Sequence, residues 1–168
     1  EVADHISADS EATRRDIITL LGVPPSKVTT IHLAANPVFT VDYAPEVVDA
    51  TTAELDVGRG FILAVGTLEP RKNVPLLLRA YHRLRTTAGL NVPLVLVGGK
   101  GWMYDDVFRM IDGLGLGDHV RHLTGVSDTQ LAHLYRAAGV LAFPSHYEGF
   151  GLPALEALHA GCPVVASD

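Results

Sequence analysis

From residue 61 onward the chain alternates two hydrophobic rhythms. Short apolar runs at residues 61–65, 93–97, 120–123, 139–143 and 163–166 read as strands buried on both faces. Between them apolar residues recur at helical spacing: Leu77, Leu78, Tyr81 and Leu84; Val107, Met110, Ile111 and Leu114; Leu131, Leu134, Tyr135 and Ala138. Ser127-Asp128-Thr129-Gln130 supplies a capping box for the third of these. Residues 152–160 read as a further helix with Pro153 in its first turn, where proline is tolerated. Repeated strand–helix units predict an α/β fold, a doubly wound parallel sheet with right-handed crossovers.

Before residue 61 the pattern weakens. Ser7 and Asp9 are N-cap candidates for a helix reaching about Leu21, with Ile17, Ile18 and Leu21 on one face and Gly22 just past its end. Residues 28–33 read as a strand. Residues 34–60 mix prolines, acids and small residues without sustained period, which predicts a linker and surface loop.

Length and charge narrow the function classes. The chain has 168 residues, enough for a substantial core, and 48% of them are hydrophobic. A net charge of −6 offers no basic field for nucleic acid. No apolar run is long enough to cross a membrane. The one cysteine, Cys162, excludes an internal disulfide and fits a reducing, cytoplasmic setting. Eight histidines include His119 and His122, three apart, but no Cys, Asp or Glu pattern completes a metal set, so they read as surface residues. His146 stands two residues before Glu148 and merits separate attention.

Ligands bind doubly wound sheets at the carboxyl ends of the strands, and the unusual residues fall there. Glu148-Gly149-Phe150-Gly151-Leu152-Pro153-Ala154-Leu155-Glu156 puts seven residues between two glutamates, with a glycine-rich turn after the first. The bare N–H groups at the following helix start suit an anion or hydroxyl. Two carboxylates flanking such a loop suit a ligand with phosphates in the middle and hydroxyls at both ends. Arg71 and Lys72, after the first strand of the α/β region, can reach a diphosphate across the strand ends. Gly98-Gly99-Lys100-Gly101 lacks the spacing of a phosphate loop and reads as a turn lining the cleft. No G-x-G-x-x-G follows the first strand, which argues against a dehydrogenase.

The Glu-x7-Glu segment resembles the signature of retaining, family-four glycosyltransferases of the GT-B fold. Pro144-Ser145 before it, Ala160-Gly161-Cys162-Pro163-Val164-Val165-Ala166-Ser167 after it, Val65-Gly66-Thr67-Leu68-Glu69-Pro70-Arg71-Lys72-Asn73 and Val95-Leu96-Val97-Gly98-Gly99 are similar to the same family. The resemblance implies a fragment: residues 1–60 as the tail of an N-terminal acceptor domain plus linker, residues 61–168 as the Rossmann-like donor domain, truncated at its C-terminus. It implies that Lys72 grips the donor diphosphate. The family arginine expected at the next residue after Gly66 is replaced by Thr67. Either Arg71 supplies that charge from another angle or the site has one cation fewer. Glu156 resembles the acceptor of the ribose hydroxyls and Glu148 the group nearer the transferred sugar. Backbone groups of Gly149, Phe150, Gly151 and Leu152 contribute donors, and Gly66, Thr67, Gly98, Gly125 and Val126 line the nucleotide.

The function so implied is transfer of a hexose from a nucleoside diphosphate sugar to a saccharide or lipid-linked acceptor, in polysaccharide or glycoconjugate assembly. GDP-mannose is the first candidate donor, ahead of UDP-glucose, with no metal and no other cofactor. The location implied is cytoplasmic, peripheral to the membrane through the preceding region, and the isolated chain is expected to be inactive. Two other readings stand beside it: a non-catalytic nucleotide-sugar-binding module, and a sugar-nucleotide 2-epimerase of the same fold. The second lacks a counterpart to the Glu-x7-Glu loop.

Overall fold

A computed structural model of the chain describes residues 3–167; the outermost positions of the two regions above, residues 1–2 and 168, lie outside the described residues. Five parallel strands form the sheet: β3 (Ile62–Val65), β4 (Leu94–Val97), β5 (Val120–Leu123), β6 (Val140–Phe143) and β7 (Val164–Ala166), in the order β5-β4-β3-β6-β7. Strand order therefore runs one way from β3 to β5 and the other way through β6 to β7. The reversal lies between β3 and β6.

Side-chain alternation explains why both faces are covered. In β4, Leu94 and Leu96 enter one buried cluster with Leu77, Leu78 and Tyr81 of α3 (Val74–Ala88) and Val107 and Ile111 of α4 (Asp105–Gly113). Val95 and Val97 enter the other, with Leu134 and Tyr135 of α5 (Asp128–Ala137) and Ala157 of α6 (Leu152–His159). The doubly wound sheet is thus present. The capping box forms as expected: the Ser127 side chain accepts from the Gln130 N–H, and the Gln130 side chain accepts from the Ser127 N–H.

The first sixty residues differ from expectation. A three-residue strand, β1 (Ile6–Ala8), pairs in parallel with β2 (Val28–Thr30), and α1 (Glu11–Leu21) connects them. Ser7 lies in that strand and Asp9 follows it, so the N-cap is Ser10, whose side chain accepts from the Thr13 N–H. Gly22 ends α1 in the left-handed conformation, as expected. The second strand stops at Thr30 rather than Leu33.

Residues 34–60 are not an unstructured linker. They hold a 3-10 turn (Pro37–Thr40) and α2 (Pro45–Glu54), which packs against α5. Only Val48 and Thr52 of α2 are buried, one turn apart, so the helix leaves a contact stripe too short to register as a period. Phe39 is 2% exposed and meets the Tyr135 ring edge-on at 5.7 Å. Thr51 Oγ1 lies 2.8 Å from His133 Nδ1. Among the described residues no helix is long and apolar enough to cross a membrane.

A loose linker and a packed segment respond differently to truncation. Phe39→Ala is expected to destabilise the chain by about 3–5 kcal/mol, as for other buried phenylalanines. Urea unfolding followed by circular dichroism measures this. A change within error would return residues 34–60 to the status of a surface loop.

Candidate functional site

β3 and β6 pair only through Ile62↔Val140 and Leu63↔Leu141, whereas β3 stays in register with β4 to its last residue. Beyond Leu63 and Leu141 the two strands part, and their following loops face each other across the gap. The loop after β3 carries Gly66 and Thr67 and a 3-10 turn (Pro70–Lys72). The loop after β6, residues 144–151, carries Ser145, Glu148 and Phe150.

Gly66 makes the first contact possible. A β-carbon there would lie 2.7 Å from Lys72 Cε, so only glycine lets the lysine stem lie flat against the strand end. Gly98, after β4, is pressed likewise against the Gly66 carbonyl, where a β-carbon would meet the oxygen at 2.2 Å. Lys72 thereby lies along the gap with its side chain 12% exposed. Its ammonium donates to Glu148 Oε1 at 2.7 Å and stands 5.2 Å from the centre of the Phe143 ring.

Arg71 completes the bridge. It donates to Glu148 Oε2 at 2.6 Å and to the Tyr147 carbonyl at 2.9 Å, while its other nitrogens hold Glu69 Oε1 at 2.7 and 3.1 Å. The His146 N–H donates back to the Arg71 carbonyl at 2.9 Å. Burial works against the charge on Glu148, but hydrogen bonds led by that from Lys72 outweigh it and hold its carboxyl below the ordinary value. Buried Ser145 Oγ has no hydrogen-bond partner among the described residues. It lines a cavity of about 20 Å³ with Gly66, Lys72 and Phe143, room for one water.

The second glutamate sits elsewhere. Glu156, on α6, accepts a hydrogen bond from the Tyr135 hydroxyl at 3.1 Å. Burial raises its carboxyl, with Tyr135 opposing that rise and the Asp128 charge adding to it. The same burial, with Glu156 beside it, pushes the Tyr135 phenol far up. α6 begins at Gly151 in the left-handed conformation (φ 90°), with no side chain capping its first turn.

The structure gathers Arg71, Glu148, Gly149, Phe150, Gly151 and Leu152 around one open cleft of about 380 Å³. Gly66 and Lys72 adjoin it at the strand ends. Glu156 does not line that cleft, and Gly125 and Val126 follow β5, two strands from β3. Val126 packs against the core instead. Thr67 is exposed. Phe150 is half-buried at the cleft, and Glu148 lies five residues beyond the end of β6.

Sequence reasoning missed the part played by α1. The Ser10 hydroxyl donates to the Gly149 carbonyl, and a β-carbon on Gly149 would meet Asp9 Oδ2 and Thr13 Oγ1, each at 3.3 Å. The Tyr147 hydroxyl donates to Asp16 at 2.5 Å, and Asp9 and Leu33 line the cleft. His119 and His122 are not surface groups either. Arg85 donates to His119 Nε2 at 2.9 Å, and His122 Nε2 bonds the Gly98 carbonyl. Among the described residues no three His, Cys, Asp or Glu side chains gather around a common metal position.

The family described as glycosyl transferases group 1 matches residues 51–168. The chain is 36% identical over 159 residues to O-antigen chain mannosyltransferase B of Escherichia coli, covering 95% of this chain and 42% of the relative. It is 36% identical over 177 residues to a D-inositol 3-phosphate glycosyltransferase of Kineococcus radiotolerans, covering 99% and 40%. The chain thus spans about two fifths of these curated relatives' length. Among solved structures it is similar to Anabaena Alr3699/HepE in complex with UDP-glucose (TM-score 0.83, 23% identity, 99% of this chain and 45% of that one). It is also similar to WaaG, a glycosyltransferase involved in lipopolysaccharide biosynthesis (TM-score 0.81, 21% identity, 95% and 43%). At those identities the likeness shows the fold alone.

The ion pair has a pH signature. Because the Glu148 carboxyl is depressed on folding, its contribution to stability is present above its ordinary 4.5 and is lost as pH falls through the lower folded value. Lys72→Met removes the leading hydrogen bond, so the variant has less stability to lose in acid. Urea midpoints measured between about pH 3 and 6 are expected to fall less steeply for it than for the parent. Parallel acid limbs would mean that the pair is not held in solution.

Proposed function

Because the chain belongs to the glycosyl transferases group 1 family, we propose that it is the donor-binding part of a retaining hexosyltransferase. Its substrate is a nucleoside diphosphate sugar, and its product a glycan or glycoconjugate. The observation that carries this reading is the position of Lys72. It lies against Gly66 in the gap between β3 and β6 and faces the Phe143 ring, which also borders Gly151 at the uncapped start of α6. Crevices at the reversal of strand order are where doubly wound sheets take nucleotides.

In this reading Lys72, Arg71 and the N–H groups at Gly151 and Leu152 meet the diphosphate and stabilise the charge that develops on the leaving group. Glu156 accepts the ribose hydroxyls, oriented by Tyr135. Glu148 and the backbone of Gly149 and Phe150 face the transferred sugar. Thr67 and Gly98 border the diphosphate, and Gly125 and Val126 lie toward the base. Displacement proceeds on the front face, and a diphosphate oxygen helps deprotonate the acceptor.

GDP-mannose is the preferred donor candidate over UDP-glucose; the name of the Escherichia coli relative, a mannosyltransferase, supports mannose. Residues 1–60 belong in this reading to an acceptor domain and its crossing, and residues 61–168 to the donor domain. The acceptor is a saccharide or lipid-linked saccharide held by the rest of the protein. The setting is the cytoplasm, at the membrane surface.

Two measurements test the assignment. Glu156→Ala is expected to weaken binding of free GDP to the chain by about 1–3 kcal/mol in calorimetry, the range for charge-assisted hydrogen bonds. Undiminished binding in a folded variant would remove Glu156 from the nucleotide site. With the whole protein, transfer activity is expected to survive EDTA, since Lys72, Arg71 and the helix start supply the positive field a divalent ion gives elsewhere. Activity lost to EDTA and restored by magnesium or manganese would overturn that role for the cations.

A further inference from the structure

The two cations that face the cleft are already occupied. Glu148 takes Lys72 with one oxygen and Arg71 with the other, and Glu69 takes Arg71 from its far side. Two positive charges therefore meet two negative ones, and the cluster has no net positive charge to offer a diphosphate. An incoming diphosphate must draw Lys72 and Arg71 away from Glu148.

The backbone that carries Glu148 is anchored on both sides. The residue before it accepts from Arg71 through its carbonyl and donates to Asp16 through its hydroxyl; the residue after it accepts from Ser10. His146 donates to the Arg71 carbonyl. The loop is held from two sides, so the backbone at Glu148 stays in place and its carboxylate stays within reach of the cations when they turn to a ligand. A displaced carboxylate needs new donors, because a partly buried charge without partners is costly.

The donor and the spent nucleotide differ in what they bring to such a group. A nucleotide sugar carries hydroxyl donors on the hexose beyond the second phosphate. The nucleoside diphosphate left after transfer has none, and its terminal phosphate bears roughly one further negative charge at neutral pH, as phosphate monoesters do. Resting on the functional reading above, we infer that Glu148 is a specificity-determining residue that makes the site prefer the intact nucleotide sugar to the nucleoside diphosphate. It replaces its lost cation contacts with sugar hydroxyls in the first case and faces an extra anion in the second. Release of the spent nucleotide is thereby favoured by the same carboxylate that receives the donor.

Calorimetry on the chain with GDP and GDP-mannose, and in parallel UDP and UDP-glucose, tests this. The parent is expected to bind the nucleotide sugar more tightly than the matching diphosphate. Glu148→Gln and Glu148→Ala both remove the charge, and each is expected to tighten the diphosphate several-fold while weakening the nucleotide sugar, so that the preference collapses or inverts. Glu69→Gln frees only Arg71 from its far side and is expected to shift both ligands alike, leaving the preference intact. Equal weakening of both ligands in a Glu148 variant that keeps the parent's circular dichroism and urea midpoint overturns the inference alone. Failure of the parent to bind any of the four ligands overturns the functional reading and the inference with it.

Discussion

The parting of β3 and β6 after two paired residues is the constraint on which the site depends. β3 continues in register with β4 on one side, and β6 with β7 on the other, so neither can follow its neighbour across the gap. The chain that leaves β3 builds α3 on one face, while the chain that leaves β6 builds α6 on the opposite one. Two loops are thus delivered to the same crevice from opposite faces. The strand ladder does not continue between them, and one backbone hydrogen bond, from His146 to Arg71, together with bonds from the Arg71 and Lys72 side chains, joins them instead.

Those side chains are charged, which sets the energetics. Lys72 and Glu148 are mostly shielded, and taking either charge from water is compensated only while its partner is present. Such a pair adds little net stability over an apolar contact but makes the loss of one member expensive. The cluster is better understood as fixing the relative placement of two loops. Arg71, more exposed, extends that grip to Glu69 and the Tyr147 carbonyl.

How much of this was legible in the sequence follows from where each signal resides. The strands from residue 62 onward were readable to within one residue of each start, because a strand covered on both faces leaves an unbroken apolar run. Proline and glycine marked α6, and serine with glutamine marked α5. β1 was hidden by its length of three residues, and α2 by having just two buried positions. Within the site, the motif pointed to Lys72 and Glu148, but their contact joins residues 76 apart and has no local signature. The bond from Ser10 to Gly149 spans 139 residues and rests on a serine that locally announces only a helix cap.

That last contact makes the β1–α1–β2 unit a lever on the crevice. Ser10 and Asp16, about two turns apart along α1, each hold the loop that carries Glu148. A displacement of α1 would reach the loop directly at the Gly149 carbonyl and, through the Tyr147 side chain, on the other side of the carboxylate. The placement of α1 and the placement of the key anion are therefore set by the same two contacts. Residues far from the crevice in the chain thus help to set where its anion stands.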